Sequence, residues 1–183
     1  MRSAVIFCAS LWLALAPAVG LAAEATPASL MELRRHTELA IARGDYRSAE
    51  MLIETYLPAA QRLADPTWHV FNGHLIAARV KLALAKPDEA ERHAAELRAI
   101  ATRATRGDDA MERAIAEITT AQVRLQQGRN DEAATHARQA ITILRRAHER
   151  GRITRQTHEA ELLAYEEVLI ASAAEKKSAM APR

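Results

Sequence analysis

Residues 78–94 read Ala78-Arg-Val-Lys-Leu-Ala-Leu-Ala-Lys-Pro-Asp-Glu-Ala-Glu-Arg-His-Ala94, and residues 121–137 read Ala121-Gln-Val-Arg-Leu-Gln-Gln-Gly-Arg-Asn-Asp-Glu-Ala-Ala-Thr-His-Ala137. Eight of the 17 positions are identical without a gap, at an offset of 43 residues. The matching columns are mostly apolar or turn-forming. A fainter third copy, Leu39-Ala-Ile-Ala-Arg-Gly-Asp-Tyr-Arg-Ser-Ala49, places Ala49 41 residues before Ala90, which itself lies 43 before Ala133. Self-similarity at a fixed period marks a repeat architecture, in which each unit buries its apolar face only against its neighbours.

Each copy reads as helix, tight turn, helix. Gly128 can take the positive φ that ends a helix, and Asn130 or Asp131 can cap the next; Gly44 and Asp45 serve the first copy in the same way. The middle copy has Lys86-Pro87-Asp88, where proline disfavours helix at the residue before it and suits a first helical position. Ala133, Ala137, Ala140 and Leu144 recur on one helical face, and Ala90, Ala94, Leu97 and Ala101 repeat that face. The whole chain agrees. Ala supplies 41 of 183 residues, Val only 6, and aromatics 4%. Ala, Leu, Arg, Glu and Gln lose little entropy in a helix, so the composition predicts an all-α fold and argues against a sandwich, barrel or doubly wound sheet.

Helices are predicted near 28–42, 46–64, 67–85, 87–104, 108–127, 130–149 and 153–176, with Pro58 kinking or splitting the second. Asp65-Pro66 and Arg106-Gly107-Asp108 separate the pairs. The units are then 30–64, 67–104 and 108–149, with a capping helix at 153–176. The helical domain spans 24–177, ahead of a disordered tail at 178–183. Residues 1–23 differ from the rest. Arg2, the apolar run Ala4–Ala16 and the small-residue exit through Ala22 and Ala23 have the pattern of a cleaved secretory signal peptide. Cleavage there removes Cys8, the sole cysteine, and with it any disulfide or thiolate site. The expected compartment is the periplasm or the exterior, with no stable membrane insertion after cleavage.

The pattern Ala121-x-x-x-Leu125-x-x-Gly128-x-x-x-x-Ala133-x-x-x-Ala137-x-x-Ala140 resembles the tetratricopeptide repeat, and Gly44-Asp45-Tyr46-x-x-Ala49 resembles the same turn. The repeats are degenerate. Their spacing is 41 to 43 residues rather than 34, and Glu117 stands where the family has a bulky apolar residue. The resemblance implies stacked antiparallel hairpins in an α-α superhelix, about seven helices in all. It also implies a concave surface, lined by the first helix of each pair, that recognises proteins or peptides. Its groove positions fall on Arg34 and Glu38, then Asn72 and Arg79, then Gln122. Trp68 and Phe71 are a second candidate contact, since exposed aromatics anchor interfaces, although packing between helix pairs would also occupy them.

Catalytic signatures are missing. His158-Glu159 and His148-Glu149 begin like HExxH, but Leu162 and Arg152 hold the closing positions. There is no Gly-x-Ser-x-Gly elbow, phosphate loop, Glu-x-x-His pair or haem attachment motif, and no cofactor is expected. Glu32/His36, Glu89/His93 and Glu132/His136 each place a carboxylate and an imidazole one turn apart on a helix. Two converging pairs, Glu89/His93 and Glu132/His136, could bind zinc or copper; singly they are surface pairs worth about 0.2–0.5 kcal/mol. Arg145, Arg146, Arg150, Arg152 and Arg155 form the densest basic cluster, suited to a helix C-terminus or to an anionic patch. A net charge of +2, export and the lack of interleaved aromatics argue against nucleic acid. The expected function is a non-enzymatic interaction module or adapter for a protein or peptide partner. The alternative is a helical bundle binding a metal or small ligand through its Glu/His pairs, in stress resistance.

Overall fold

The computed structural model describes residues 26–104 and 110–180, with side chains as far as residue 174. The expected signal segment at 1–23, the expected Arg106-Gly107-Asp108 boundary and residues 181–183 lie outside the described residues. Seven α-helices and no strand occur among the described residues: α1 Pro27–Ala42, α2 Tyr46–Ala60, α3 Thr67–Ala83, α4 Pro87–Ala104, α5 Met111–Gln126, α6 Asn130–Glu149 and α7 Arg155–Met180. The fold is the all-α stack of hairpins that the repeat demands.

Local chemistry explains where the helices start and stop. Thr26 and Ser29 form a reciprocal capping box on α1, and Asp45 Oδ1 accepts the Ser48 N–H at 3.1 Å to open α2. Asn130 and Asp131 do not cap α6: Arg129 occupies that position without a side-chain bond, and Asn130 is already the first helical residue. α2 passes through Pro58 without splitting and ends at Ala60, four residues before the expected 64. Pro58 sits in the last turn, where a missing N–H and a steric clash disturb little of the helix beyond it. At the other end α7 runs to Met180, past residue 177.

The hairpin turns share one geometry. Gly44, Ala85 and Gly128 occupy equivalent positions in the three repeats and have φ of +73°, +56° and +72°. In each, the left-handed residue donates to the carbonyl three back, and the next residue donates to the carbonyl five back: Gly44 to Ile41 and Asp45 to Ala40, Ala85 to Leu82 and Lys86 to Lys81, Gly128 to Leu125 and Arg129 to Arg124. This is the Schellman closure. Gly151 repeats it after α6. The middle turn is therefore made by Ala85 in the left-handed region rather than by the Lys86-Pro87-Asp88 sequence alone, and α3 stops at Ala83 to accommodate it.

Ala49, Ala90 and Ala133 are all fully buried, so the small-residue seam exists in every unit. Successive apolar clusters run along the stack, a small one of Ala90, Ala94 and Val123 among them. Leu30, Ile53, Tyr56 and Val80 join α1, α2 and α3; Phe71, Leu97, Ile100 and Ala116 join α3, α4 and α5; Ile118, Ile141, Leu144 and Tyr165 join α5, α6 and α7. Each helix packs against its neighbours in sequence, and α5 also meets α3 on one side and α7 on the other. Those contacts draw α3, α5 and α7 together on the odd-helix side of the stack. Close approach is built in at Gly73, where a Cβ would stand 2.6 Å from Leu57 Cδ2 and 3.0 Å from the Tyr56 ring.

Candidate interaction surfaces

The stack puts cations at fixed places between hairpins. Lys81 on α3 is only 7% exposed and bonds Glu50 of α2 at 2.5 Å and Glu89 of α4 at 2.6 Å. Burial works against its charge, but the two carboxylates outweigh that and hold its pKa above the ordinary lysine value. One repeat later, Arg124 on α5 lies 2.6 Å from Glu91 of α4 and 3.5 Å from Glu132 of α6. Glu50 and Glu91 are repeat-equivalent, as are Lys81 and Arg124, and Glu89 and Glu132. The arrangement is therefore one device used twice: a cation on the first helix ties its own hairpin to the one before.

This device takes the carboxylates of the Glu/His pairs. Glu89 faces Lys81, and Glu132 is shared between Arg124 and Arg129, the latter at 2.7 Å. The imidazoles turn to the neighbouring helix instead. His93 Nδ1 lies 3.0 Å from His74 Nδ1, and His136 Nδ1 lies 2.7 Å from Glu117 Oε2. These contacts are again repeat-equivalent, 74 with 117 and 93 with 136. Glu117, anomalous as a repeat residue, is explained by its imidazole partner. Among the described residues no group of three or more His, Cys, Asp or Glu side chains gathers as metal ligands, so the structure does not bring Glu89, His93, Glu132 and His136 together as a metal centre. Glu32 and His36 do form the expected surface pair at 2.7 Å; Arg35 and then His36 hold the Glu32 carboxyl down at about 2.

The odd-helix layer carries the groove positions expected from the resemblance. Arg34 pairs with Glu38 at 3.4 Å on α1. Asn72 on α3 donates to its own helix at the Trp68 carbonyl, 3.0 Å away. Arg79 is exposed and close enough to Tyr165 of α7 to favour its ionised form, although burial, first of all, pushes the Tyr165 hydroxyl up. Gln122 on α5 is half-buried. Trp68 and Phe71 part company: their rings stack at 5.9 Å, but Phe71 is a core residue at 2% exposure while Trp68 is 54% exposed. Trp68 roofs a small cleft with Thr67, Ile100, Ala104 and Glu112.

A second surface escaped the sequence reading. Between α4 and α6 lies a groove of about 540 Å³ floored by Arg113 and Glu117 of α5. Arg98 of α4 forms one wall; Arg138, Thr142, Ile143 and Arg146 of α6 form the other. Among the described residues, four arginines and one acid, Glu117, line the groove. The four arginines are scattered over three helices, apart from the densest basic run at 145–155 except for Arg146, and only folding collects them. Arg138 and Arg146, eight residues apart on one helical face, were the available signal. The 145–155 cluster itself includes an Arg145–Glu166 pair at 3.9 Å and surrounds a stack of the His148 and His158 rings at 4.5 Å.

These features define an all-α protein of stacked antiparallel helix hairpins. The tetratricopeptide repeat model matches residues 72–146, from within α3 to the last turns of α6, and the chain is a tetratricopeptide-like helical repeat protein. No curated protein and no solved structure matches it. No helix among the described residues is long and apolar enough to cross a membrane.

Proposed function

We propose that this chain is an exported, non-enzymatic interaction module that presents its odd-helix face to a protein or peptide partner. The observation that carries the reading is the repeat itself: residues 72–146 match a repeat whose hairpins serve protein recognition, and the stack presents Arg34, Glu38, Asn72, Arg79 and Gln122 from its first helices. A surface held by packed helices and inter-hairpin ion pairs is preorganised, so a partner orders little on binding. The signal-like residues 1–23 support export to the periplasm, with a mature chain beginning at Ala23 or Glu24.

The test is site-specific photo-crosslinking in the native host from position 79, with position 47 on the exposed side of α2 as control. A partner captured from position 79 and lost on adding R34E is the expected result. Indistinguishable yields from both positions would remove the reading. Fractionation with mass spectrometry of the mature N-terminus checks the compartment; an intact residue 1 in a cytoplasmic fraction overturns export.

A further inference from the structure

We propose that the arginine-lined groove between α4 and α6 is a second docking site, which takes an acidic peptide segment of a protein partner. Arg113 and Gln122 are nine residues apart on α5, about two and a half turns, and so point to opposite sides of that helix. The groove therefore opens away from the odd-helix face and is a separate surface.

Charge decides the occupant. Glu117, the one acid among the described residues that line the groove, is already engaged by Arg98 at 3.3 Å and by His136 at 2.7 Å. Its negative charge is spent inside the protein, while Arg138 and Arg146 make no ion pair among the described residues and stand exposed. Guanidinium groups present paired donors that match carboxylates. Shape then favours a chain over a small anion. The α6 wall runs from Thr135 to Arg146, about 16 Å at the helical rise, which is the length of about five extended residues. Ile143 and the methyl groups of Thr135 and Thr142 add apolar contact along it, and a neighbouring cavity of about 280 Å³ continues the groove past Arg98 to Ala101 and Thr102. An acidic peptide with small apolar residues between its carboxylates complements all of these features.

Fluorescence anisotropy of a labelled peptide of about ten alternating Glu and Ala residues tests the site, beside a Lys-for-Glu peptide of equal length. The acidic peptide binds and the basic one does not, and added salt weakens the complex because its attraction is exposed and screened. R138E/R146E weakens binding by more than about tenfold, whereas R34E leaves it unchanged and so separates this site from the odd-helix face. Circular dichroism checks the fold; if the charge reversal unfolds the chain, R138Q/R146Q replaces it and is expected to weaken binding several-fold. The proposal is overturned by absence of binding, by equal binding of both peptides, by insensitivity to the groove variants, or by binding to phosphatidylglycerol vesicles alone.

Discussion

At position 85 the chain accepts a left-handed alanine where its other two repeats use glycine. An L-residue in that region costs about 1–2 kcal/mol, which glycine avoids at some expense in unfolded-chain entropy. Ala85→Gly is expected to stabilise the protein by up to about 1 kcal/mol and Gly128→Ala to destabilise it by a similar amount, read as opposite shifts in the urea midpoint. The His74–His93 pair gives a second prediction. Burial, followed by the neighbouring His74, pushes the His93 pKa down to about 4 from 6.5, and burial lowers that of His74. Both rings are neutral in the folded protein near pH 7, while the unfolded chain takes up protons below about 6.5. The stability of the pair is thus complete above that value and drains away as pH falls toward about 4. Replacing His74 with Glu recreates the Glu117–His136 pairing of the next repeat. Denaturation followed across that range should then show a flattened or reversed fall, and a profile parallel to the parent would refute the assignment.

At the level of helices, Lys81 joins α3 to both α2 and α4, and its loss is felt in two hairpins. Lys81→Met leaves Glu50, already sheltered, with only Lys86 at 2.8 Å, and should cost about 2–3 kcal/mol by urea denaturation. Adding Glu50→Gln should recover part of that loss, as expected for coupled neighbours. Helix order, the glycine turns at Gly44 and Gly128 and the buried alanine seam were legible in the sequence, because spacing along a chain reports which residues share a face. Partners across helices were not. Glu89 and His93 do share a face, yet one turns to Lys81 and the other to His74, and no spacing within a single helix contains that information. The arginine groove was invisible for the same reason: Arg98, Arg113, Arg138 and Arg146 meet only after three helices pack. Ala85 misled in a different way, since a residue without glycine's freedom gives no local warning of a positive φ.

Over the whole molecule, stability is a chain of neighbour interfaces rather than one central core. α7 closes the stack by laying Leu162, Tyr165, Val168 and Leu169 over Ile141 and Leu144. A chain ended after residue 152 should lose cooperative thermal unfolding and self-associate, as followed by circular dichroism and light scattering. Leu163→Glu with Ile170→Glu should leave stability nearly unchanged, because those side chains are 66% and 68% exposed on the outer side of the same helix. The twice-used cation has a consequence for how such a protein grows. A copy of residues 82–124 inserted after Arg124 supplies, in register, an acid for the cation upstream and a cation for the acid downstream. Lengthening by tandem duplication therefore creates no orphaned charge at the splice, and selection could vary the number of units without redesigning any junction.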